Sequence, residues 1–408
     1  MTKLRLDVFF LSLVISFVAT GQTIVFPILP KYLSRFGGGS FEFGLSTSVY
    51  ALFGVIFAPF IGRFADKTGK KRILVAEIAT FGLINLVIPI APSFEWFLVL
   101  RSLEGLVGTS TAPIAIAIVS EITAEEERAR SIAYVTAGMS FGIIIGPTIG
   151  GVLLDSVGVI YPYILSGLLG IVGAILTQLL LKEGISEKSY QQAVGGPLLS
   201  RLPKPLYAFM LILLMNFINS IVWMMIEPGF IYHFYDNLGL SATDFGIFVS
   251  AYGVFIFFGE VILGGLSDKF GRKPILVLGA ILNMIFYLAL AFSEEFVLLV
   301  IAAVIAGIAG GLLGPALNAL ISEVSEEAHR SFVLSIAVSA SYLASIIGPF
   351  FGGWYLDQGY SLKSLIFISV GLVSITIVTP LFLNFSKNDS FEVSSVIDNE
   401  YYPRPIGK

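Results

Sequence analysis

The sequence predicts an all-α membrane protein of twelve transmembrane helices, arranged as two pseudo-symmetric six-helix bundles. Three observations carry this expectation. Of 408 residues, 56% are hydrophobic and only 13% charged, with a mean hydropathy of +0.90, whereas soluble domains sit near roughly 45–50% apolar and about 25% charged. Apolar stretches of about 20 residues, the length that crosses a hydrocarbon core, recur along the whole chain. Finally, GRFADKTGKKR at 62–72 returns as GGLSDKFGRKP at 264–274.

In chain order, Lys3 and Arg5 first precede an apolar run from Phe9 to Leu29, a superficial likeness to a signal peptide. The run is long enough to span a bilayer and has no A-x-A cleavage signal, so it reads as a retained first helix at 8–30. Further spans are expected at 43–62, 73–91, 96–119, 131–154 and 160–181, then at 206–232, 245–266, 274–292, 296–320, 332–356 and 363–384. Short charged or Gly/Pro-bearing loops separate them. The polar EGISEKSYQQAVGGPLLSRLPKP segment at 183–205 reads as a linker between halves at 1–182 and 206–384. Residues 385–408 read as a polar, disordered tail.

Orientation follows from basic residues. Twenty of the 24 lysines and arginines fall in the termini, the linker and the other even-numbered loops; Lys31, Arg35 and Lys363 alone fall in odd-numbered loops. The positive-inside rule therefore places both termini and the linker in the cytoplasm of a cell-membrane, multi-pass protein.

The charged loop belongs to a whole-chain repeat at an offset of 202 residues. Gly62, Asp66, Lys67, Gly69 and Lys71 match Gly264, Asp268, Lys269, Gly271 and Lys273, and GPTIGGVLLD at 146–155 matches GPFFGGWYLD at 348–357. Gly105, Pro113, Glu121 and Arg128 match Gly307, Pro315, Glu323 and Arg330. Parallel repeats of this kind are one transporter plan, with a substrate site expected between the halves near mid-membrane. In the loop, Gly62 and Gly69 suit tight turns and close approach, Asp66 suits a neighbouring helix end, and the basic residues suit anionic headgroups. The motif is either a pair of conformational latches or a positive-inside anchor. In the fifth span Gly138, Gly142, Gly146 and Gly150 share one face, mirrored in the eleventh by Ala340, Ala344, Gly348 and Gly352. That face is a tight packing surface, a sliding surface, or both, and Pro147 adds a kink.

Chemistry is sought where the halves differ. Arg101 and Glu104 of the fourth span correspond to Ala303 and Ala306. A charge within the bilayer costs about 2.5–3.5 kcal/mol on insertion scales. The pair is either self-neutralising at i,i+3 or a proton- or substrate-linked charge facing a central cavity. Glu227, in WMMIEPGF near the odd-loop end of the seventh span, is either a proton-binding carboxyl or a side chain snorkelling outward. Trp223 and Met224 beside it suit a compliant apolar pocket. Glu77 and Glu260, one turn from span ends, read as partners of the basic loops. Amides at Gln22, Asn85, Asn216, Asn219, Asn283 and Asn318 are scattered, and Gln22 and Asn219 join the candidate cavity set.

Much is excluded. Cysteine is absent and the two histidines, His233 and His329, stand apart near span ends, so no metal site is expected. No phosphate-binding G-x-x-x-x-G-K-[ST] loop, nucleophile–base constellation or large soluble domain occurs, which argues against a cofactor, an enzyme or a sensor. A net charge of −4 gives no reason to expect nucleic acid, and no obligatory protein partner is evident. The expected partners are a small-molecule solute, protons and the lipid bilayer.

These motifs resemble those of the major facilitator superfamily. G-x-x-x-D-x-x-G-x-K at 62–71 resembles its loop signature, and Arg101, Gly105 and Pro113 resemble the fourth-helix motif of proton-coupled members. G-x-x-x-G-P-x-x-G-G at 142–151, with Gly142, Gly146, Pro147, Gly150 and Gly151, is similar to the antiporter motif of the twelve-helix drug:proton antiporters. PILPKYL, with Pro27 and Pro30, and Glu227-Pro228 also resemble that group. The resemblance covers about residues 5–384. It implies the major facilitator fold and proton-coupled efflux of apolar or amphipathic solutes by alternating access. It further implies a latch role for Asp66, proton coupling for Arg101, and a proton- or cation-accepting role for Glu227. Two departures stand out: Glu104 replaces a frequent Gln, and the first span has Gln22 and Thr23 where several exporters have an acid. A specific exporter or importer of one metabolite, such as a sugar or siderophore, is the alternative reading.

Overall fold

In hydrocarbon every backbone N–H and C=O must be satisfied within the chain, so apolar runs of spanning length fold as helices. The computed structural model describes residues 3–181, 202, 203, 206–325 and 330–382, and for 3–5 and 330–332 the backbone alone. Most of the linker expected at 183–205 lies outside the described residues, as do His329 and the tail expected at 385–408.

Among the described residues, twelve helices are long and apolar enough to cross a membrane: α1 Leu6–Phe36, α2 Ser40–Thr68, α3 Lys70–Ile90, α4 Phe94–Ile122, α5 Glu125–Val157, α6 Ile160–Leu180, α7 Leu206–Asn237, α8 Ala242–Leu263, α9 Arg272–Phe292, α10 Phe296–Val324, α11 Val333–Asp357 and α12 Leu362–Phe382. Several run past the apolar stretch that predicts them. α5 begins at Glu125 because Glu125, Glu126 and Glu127 fill its first turn, where acids meet the positive end of the helix dipole. α2 continues through Gly62 to Thr68 and α3 starts at Lys70, so all of the charged motif at 62–72 except Gly69 is helical. The chain then reverses at Gly69, whose φ of 107° favours glycine, and its counterpart Gly271 has a φ of 92°.

Helix packing follows the repeat. α1 packs on α5 as α7 packs on α11, α2 on α4 as α8 on α10, and α3 on α6 as α9 on α12. The glycine face of α5 lies backbone-close to α1: Gly138, Gly142, Gly146 and Gly150 meet Ser12, Ser16, Thr23 and Ile24. In α11, Gly348 and Gly352 meet Met224 and Met225 of α7 in the same way.

The halves join through α5 on α8 and α2 on α11. Here Gly151 abuts Ala242 and Gly353 abuts Ser40, while the Pro147 carbonyl faces Gly246 and the Pro349 carbonyl faces Gly44. Polar bonds reinforce this seam. The Asp155 carboxylate accepts from the backbone N–H groups of Ala242 and Thr243, at 3.3 and 2.7 Å, and from the Thr243 hydroxyl at 2.6 Å. It thereby caps α8 from the opposite half. Ser250 donates to the Ile144 carbonyl at 2.5 Å, and Tyr235 to the Pro27 carbonyl at 2.5 Å.

These joins sit toward the end that carries the odd-numbered loops. One apolar core there draws on both halves, including Tyr32, Phe97 and Tyr163 from the first and Phe230, Phe234 and Phe245 from the second. At the opposite end the cores are separate: Leu11, Leu74 and Ile118 belong to the first half's cluster, Phe209, Leu276 and Leu320 to the second's. Among the described residues, the molecule is closed at the odd-loop end and divided at the end that carries Lys70 and Arg272.

A Cβ at position 246 would lie 2.5 Å from the Pro147 carbonyl oxygen, so Gly246→Val should force the seam apart, at an overpacking cost of about 1–3 kcal/mol. The chain has no cysteine, and Ala242 is buried at the seam. A single cysteine placed by Ala242→Cys should resist maleimide in the parent and label readily once Gly246→Val is added. Unchanged labelling would show that the close approach at Gly246 does not hold the seam.

Candidate functional site

A cavity of about 420 Å³ lies beside α7. Trp223 and Met224 line it, and neighbouring helices contribute Phe248 and Tyr252 from α8, Asn283 and Phe286 from α9, and Ala303 and Ala306 from α10. Phe26 is the first half's contribution to the lining. Spacing explains the α7 face, since positions 219, 220, 223 and 224 fall on one side of a helix. Asn283 Nδ2 donates to Asn219 Oδ1 at 3.2 Å, and Ser220 donates to Ser341 Oγ at 3.1 Å.

The sequence-based cavity set of Gln22, Asn219, Trp223 and Met224 is therefore divided. The last three line the cavity, but Gln22 does not: its Nε2 donates to the Gly108 carbonyl at 3.2 Å inside the first half. Phe248, Tyr252, Phe286 and Tyr287 were not legible as lining, because aromatic residues are common on every span and only the packing of α8 and α9 turns these inward.

Glu227 stands one turn beyond Trp223 on α7. It is buried, and its Oε1 has no hydrogen-bond partner. The side chain does not snorkel to the surface. Pro228, next in sequence, lacks an N–H and so frees the Met224 carbonyl from the helix ladder.

Arg101 and Glu104 form an ion pair of 2.5 Å inside the first half. Asn85 Nδ2 donates to Glu104 Oε1 at 2.9 Å, and the Arg101 guanidinium lies 4.8 Å from the Tyr50 ring centre. The pair is neutralised, bonded and stacked, which offsets the cost of burial. Arg101 Nε has no partner. Neither Arg101 nor Glu104 lines the cavity, and no hydrogen bond or ion pair joins them to Glu227.

Glu77 departs from its expected place. Rather than serving the basic loop, it is buried and accepts a hydrogen bond from Ser110, where α4 is interrupted; its Oε2 is unpartnered. Glu260 is exposed on α8.

The loop motifs build two matching ion triads. Lys70 bridges Asp66 at 2.9 Å and Glu121 at 2.5 Å; Arg272, its repeat counterpart, bridges Asp268 at 2.6 Å and Glu323 at 2.7 Å. The basic centre is thus Lys70 or Arg272 rather than Lys71 or Lys273, and Lys71 instead donates to the Gln178 carbonyl at 2.9 Å. Asp66 engages a side chain, not a neighbouring helix end. Gly62 has open space where a side chain would go, so close approach does not account for it, whereas Gly264 is crowded by the Glu260 carbonyl. Both triads lie within one half each. Among the described residues, no cluster of His, Cys, Asp and Glu suited to a metal ion occurs.

Comparison with known proteins places these features in a family. The family model for the Major Facilitator Superfamily matches residues 11–226 and 212–400. The chain is 28% identical over 288 residues to the multi-drug resistance efflux pump PmrA homolog of Lactococcus lactis subsp. lactis (strain IL1403), covering 68% of this chain and 70% of that protein. It is 25% identical over 300 residues to the class B tetracycline resistance protein of Escherichia coli, covering 70% of this chain and 73% of that one. Its fold matches a bacterial homologue of the human lysosomal transporter Spinster, in an inward-facing and unoccupied conformation, with a TM-score of 0.73 at 17% identity over 94% of this chain and 95% of the other. The chain belongs to the major facilitator superfamily and is a multi-pass membrane transporter rather than an enzyme.

Proposed function

We propose that this transporter exports apolar or amphipathic small molecules in exchange for protons, by alternating access of its two halves. The observation that carries the reading is Glu227: a buried carboxyl with an unpartnered oxygen, one turn from an aromatic and amide-lined cavity, on the helix that forms part of its wall. A carboxylate left unpaired in apolar surroundings is costly, so occlusion of this group is linked to proton uptake and hydration to proton release. The efflux direction is supported by the named activities of the PmrA homolog and the tetracycline resistance protein and by the G-x-x-x-G-P-x-x-G-G stretch of α5.

The excess of lysine and arginine in the even-numbered loops supports a cytoplasmic location for the divided end. With that orientation the closed seam faces outward, and the conformation is read as inward-open in the cell membrane. Solute enters the cavity from the cytoplasm. Closure at the triads of Lys70 and Arg272 and opening of the seam at Gly246 and Gly44 complete the exchange. Membrane voltage supplies about 2.3 kcal/mol per elementary charge per 100 mV. Arg101, Glu104 and Asn85 hold charge at a fixed place in the first half and set how readily α4 moves against α2 and α3.

Glu227→Gln keeps the size of the side chain and removes the titration. In proteoliposomes with an imposed pH gradient it should reduce solute–proton exchange at least tenfold while downhill solute flux persists; undiminished exchange would remove Glu227 from the coupling step. Arg101→Ala leaves Glu104 buried without its cation, a loss of about 3–5 kcal/mol, and should lower the melting temperature. Arg101→Ala combined with Glu104→Gln should recover the melting temperature but not the pH dependence of transport. Recovery of both would make the pair purely structural. Protease added to right-side-out vesicles should leave 183–205 intact, and cleavage there would reverse the proposed orientation.

A further inference from the structure

The cavity has a pseudo-symmetric counterpart that is filled. Adding 202 to Tyr50, Asn85, Arg101 and Glu104 gives Tyr252, Tyr287, Ala303 and Ala306. All four of the second set line the cavity. One contact of the frame recurs at both places, although Tyr287 stands where the first half has Asn85. A Cβ on Gly108 would lie 2.8 Å from the Tyr50 hydroxyl, and one on its counterpart Gly310 would lie 3.6 Å from the Tyr252 hydroxyl. One frame therefore encloses an ion pair in the first half and open space in the second, because alanine stands where arginine and glutamate would reach.

The consequence is an uncharged cavity. Among the described residues, its lining contains no Asp, Glu, Lys or Arg. A cation entering it would lose water without gaining a counter-ion from the lining, since Glu227 stands one turn beyond Trp223 and outside it, and attraction to ring faces does not replace full hydration. The polar groups present are of another kind. The Asn283–Asn219 bond engages one donor and one acceptor, which leaves Asn219 Nδ2 and Asn283 Oδ1 free to bond a ligand. Trp223 sits 5.9 Å from Phe286 and 6.4 Å from Phe248, ring centre to ring centre, so the walls are aromatic. A volume of about 420 Å³ suits a small ligand, toward the lower end of the usual range of about 300–1,000 Å³.

We infer that this cavity selects an uncharged planar aromatic solute carrying at least one hydrogen-bonding group, and that Ala303 and Ala306 set this selectivity by keeping charge out. The inference rests on the transport reading only for the fate of the solute once it is bound.

The chain has three tryptophans. Trp96 and Trp354 are exposed, so Trp96→Phe with Trp354→Phe leaves Trp223 as the single emitter, in the cavity wall. Purified protein is titrated at pH 7.5 with 4-phenylpyridine, which is uncharged there, and with its permanently charged N-methyl salt. The neutral probe should quench Trp223 saturably, with an apparent Kd at least tenfold below that of the cation. Ala306→Glu should reverse the order; if that variant does not fold, Asn283→Asp puts a carboxylate in the same cavity and should narrow the difference at least fivefold. Equal or tighter binding of the cation, no saturable response to either probe, or a folded Ala306→Glu protein with the original preference would each overturn the inference. Because no proton gradient is present, loss of pH-driven exchange with this preference intact would refute the transport reading alone. Equal cation binding with exchange intact would refute the selectivity alone.

Discussion

Across the seam between the halves, the Pro147 carbonyl points at Gly246 and the Pro349 carbonyl at Gly44. Helices in a membrane gain little from hydrophobic association, because lipid is as apolar as leucine; they hold together through close packing and the polar contacts that close packing permits. Glycine at 44 and 246 lets the backbones of α2 and α11, and of α8 and α5, approach closely enough for both. At that separation Ser250 reaches the Ile144 carbonyl and Asp155 reaches the first N–H groups of α8. The shared core of Tyr32, Phe97, Phe230 and Phe234 then closes over the odd-loop end. Since the described residues form no shared core at the opposite end, the seam is what joins the two halves.

The same economy of space explains where charge is tolerated. Arg101 and Glu104 lie in the first half among several partners, namely each other, Asn85 and the Tyr50 ring, with only the Arg101 Nε left unbonded. Glu227 in the second half has no such set, and its Oε1 is bare. A buried pair with partners has its charges compensated in place, whereas an unpartnered carboxyl has no such compensation. The two halves thus share a frame but differ in content, one holding a paired charge and the other an open space one turn from an unpartnered carboxyl. The ion triads centred on Lys70 and Arg272 repeat without such a division, consistent with equivalent corners of two bundles.

Much of this was readable in the chain. The twelve spans follow from hydropathy and length, because the bilayer leaves a spanning backbone few choices. The repeat follows from matches at one offset, and the exception at Arg101 and Glu104 follows from the repeat. Harder to read were contacts between elements far apart in sequence. Asp155 looked like the end of a motif, yet it caps α8 from the other half. Glu77 looked like a partner for Lys70 and its neighbours, yet its side chain turns inward to Ser110. Gln22 looked like a cavity amide, yet the fold spends it on the Gly108 carbonyl.

The sequence by itself determined the number of helices, their pairing by repeat, the glycine faces and the sites of broken symmetry, since each depends on composition or spacing along one chain. Only the tertiary structure decided which end is closed, that the cavity is walled mainly by the second half, and that Ala303 and Ala306 open the space that Arg101 and Glu104 fill in the first. Those outcomes depend on which faces of separate helices meet. That is set by backbone approach at a few glycines and by the rotation of each helix about its axis, and neither is written in the periodicity of a span that is apolar on every side.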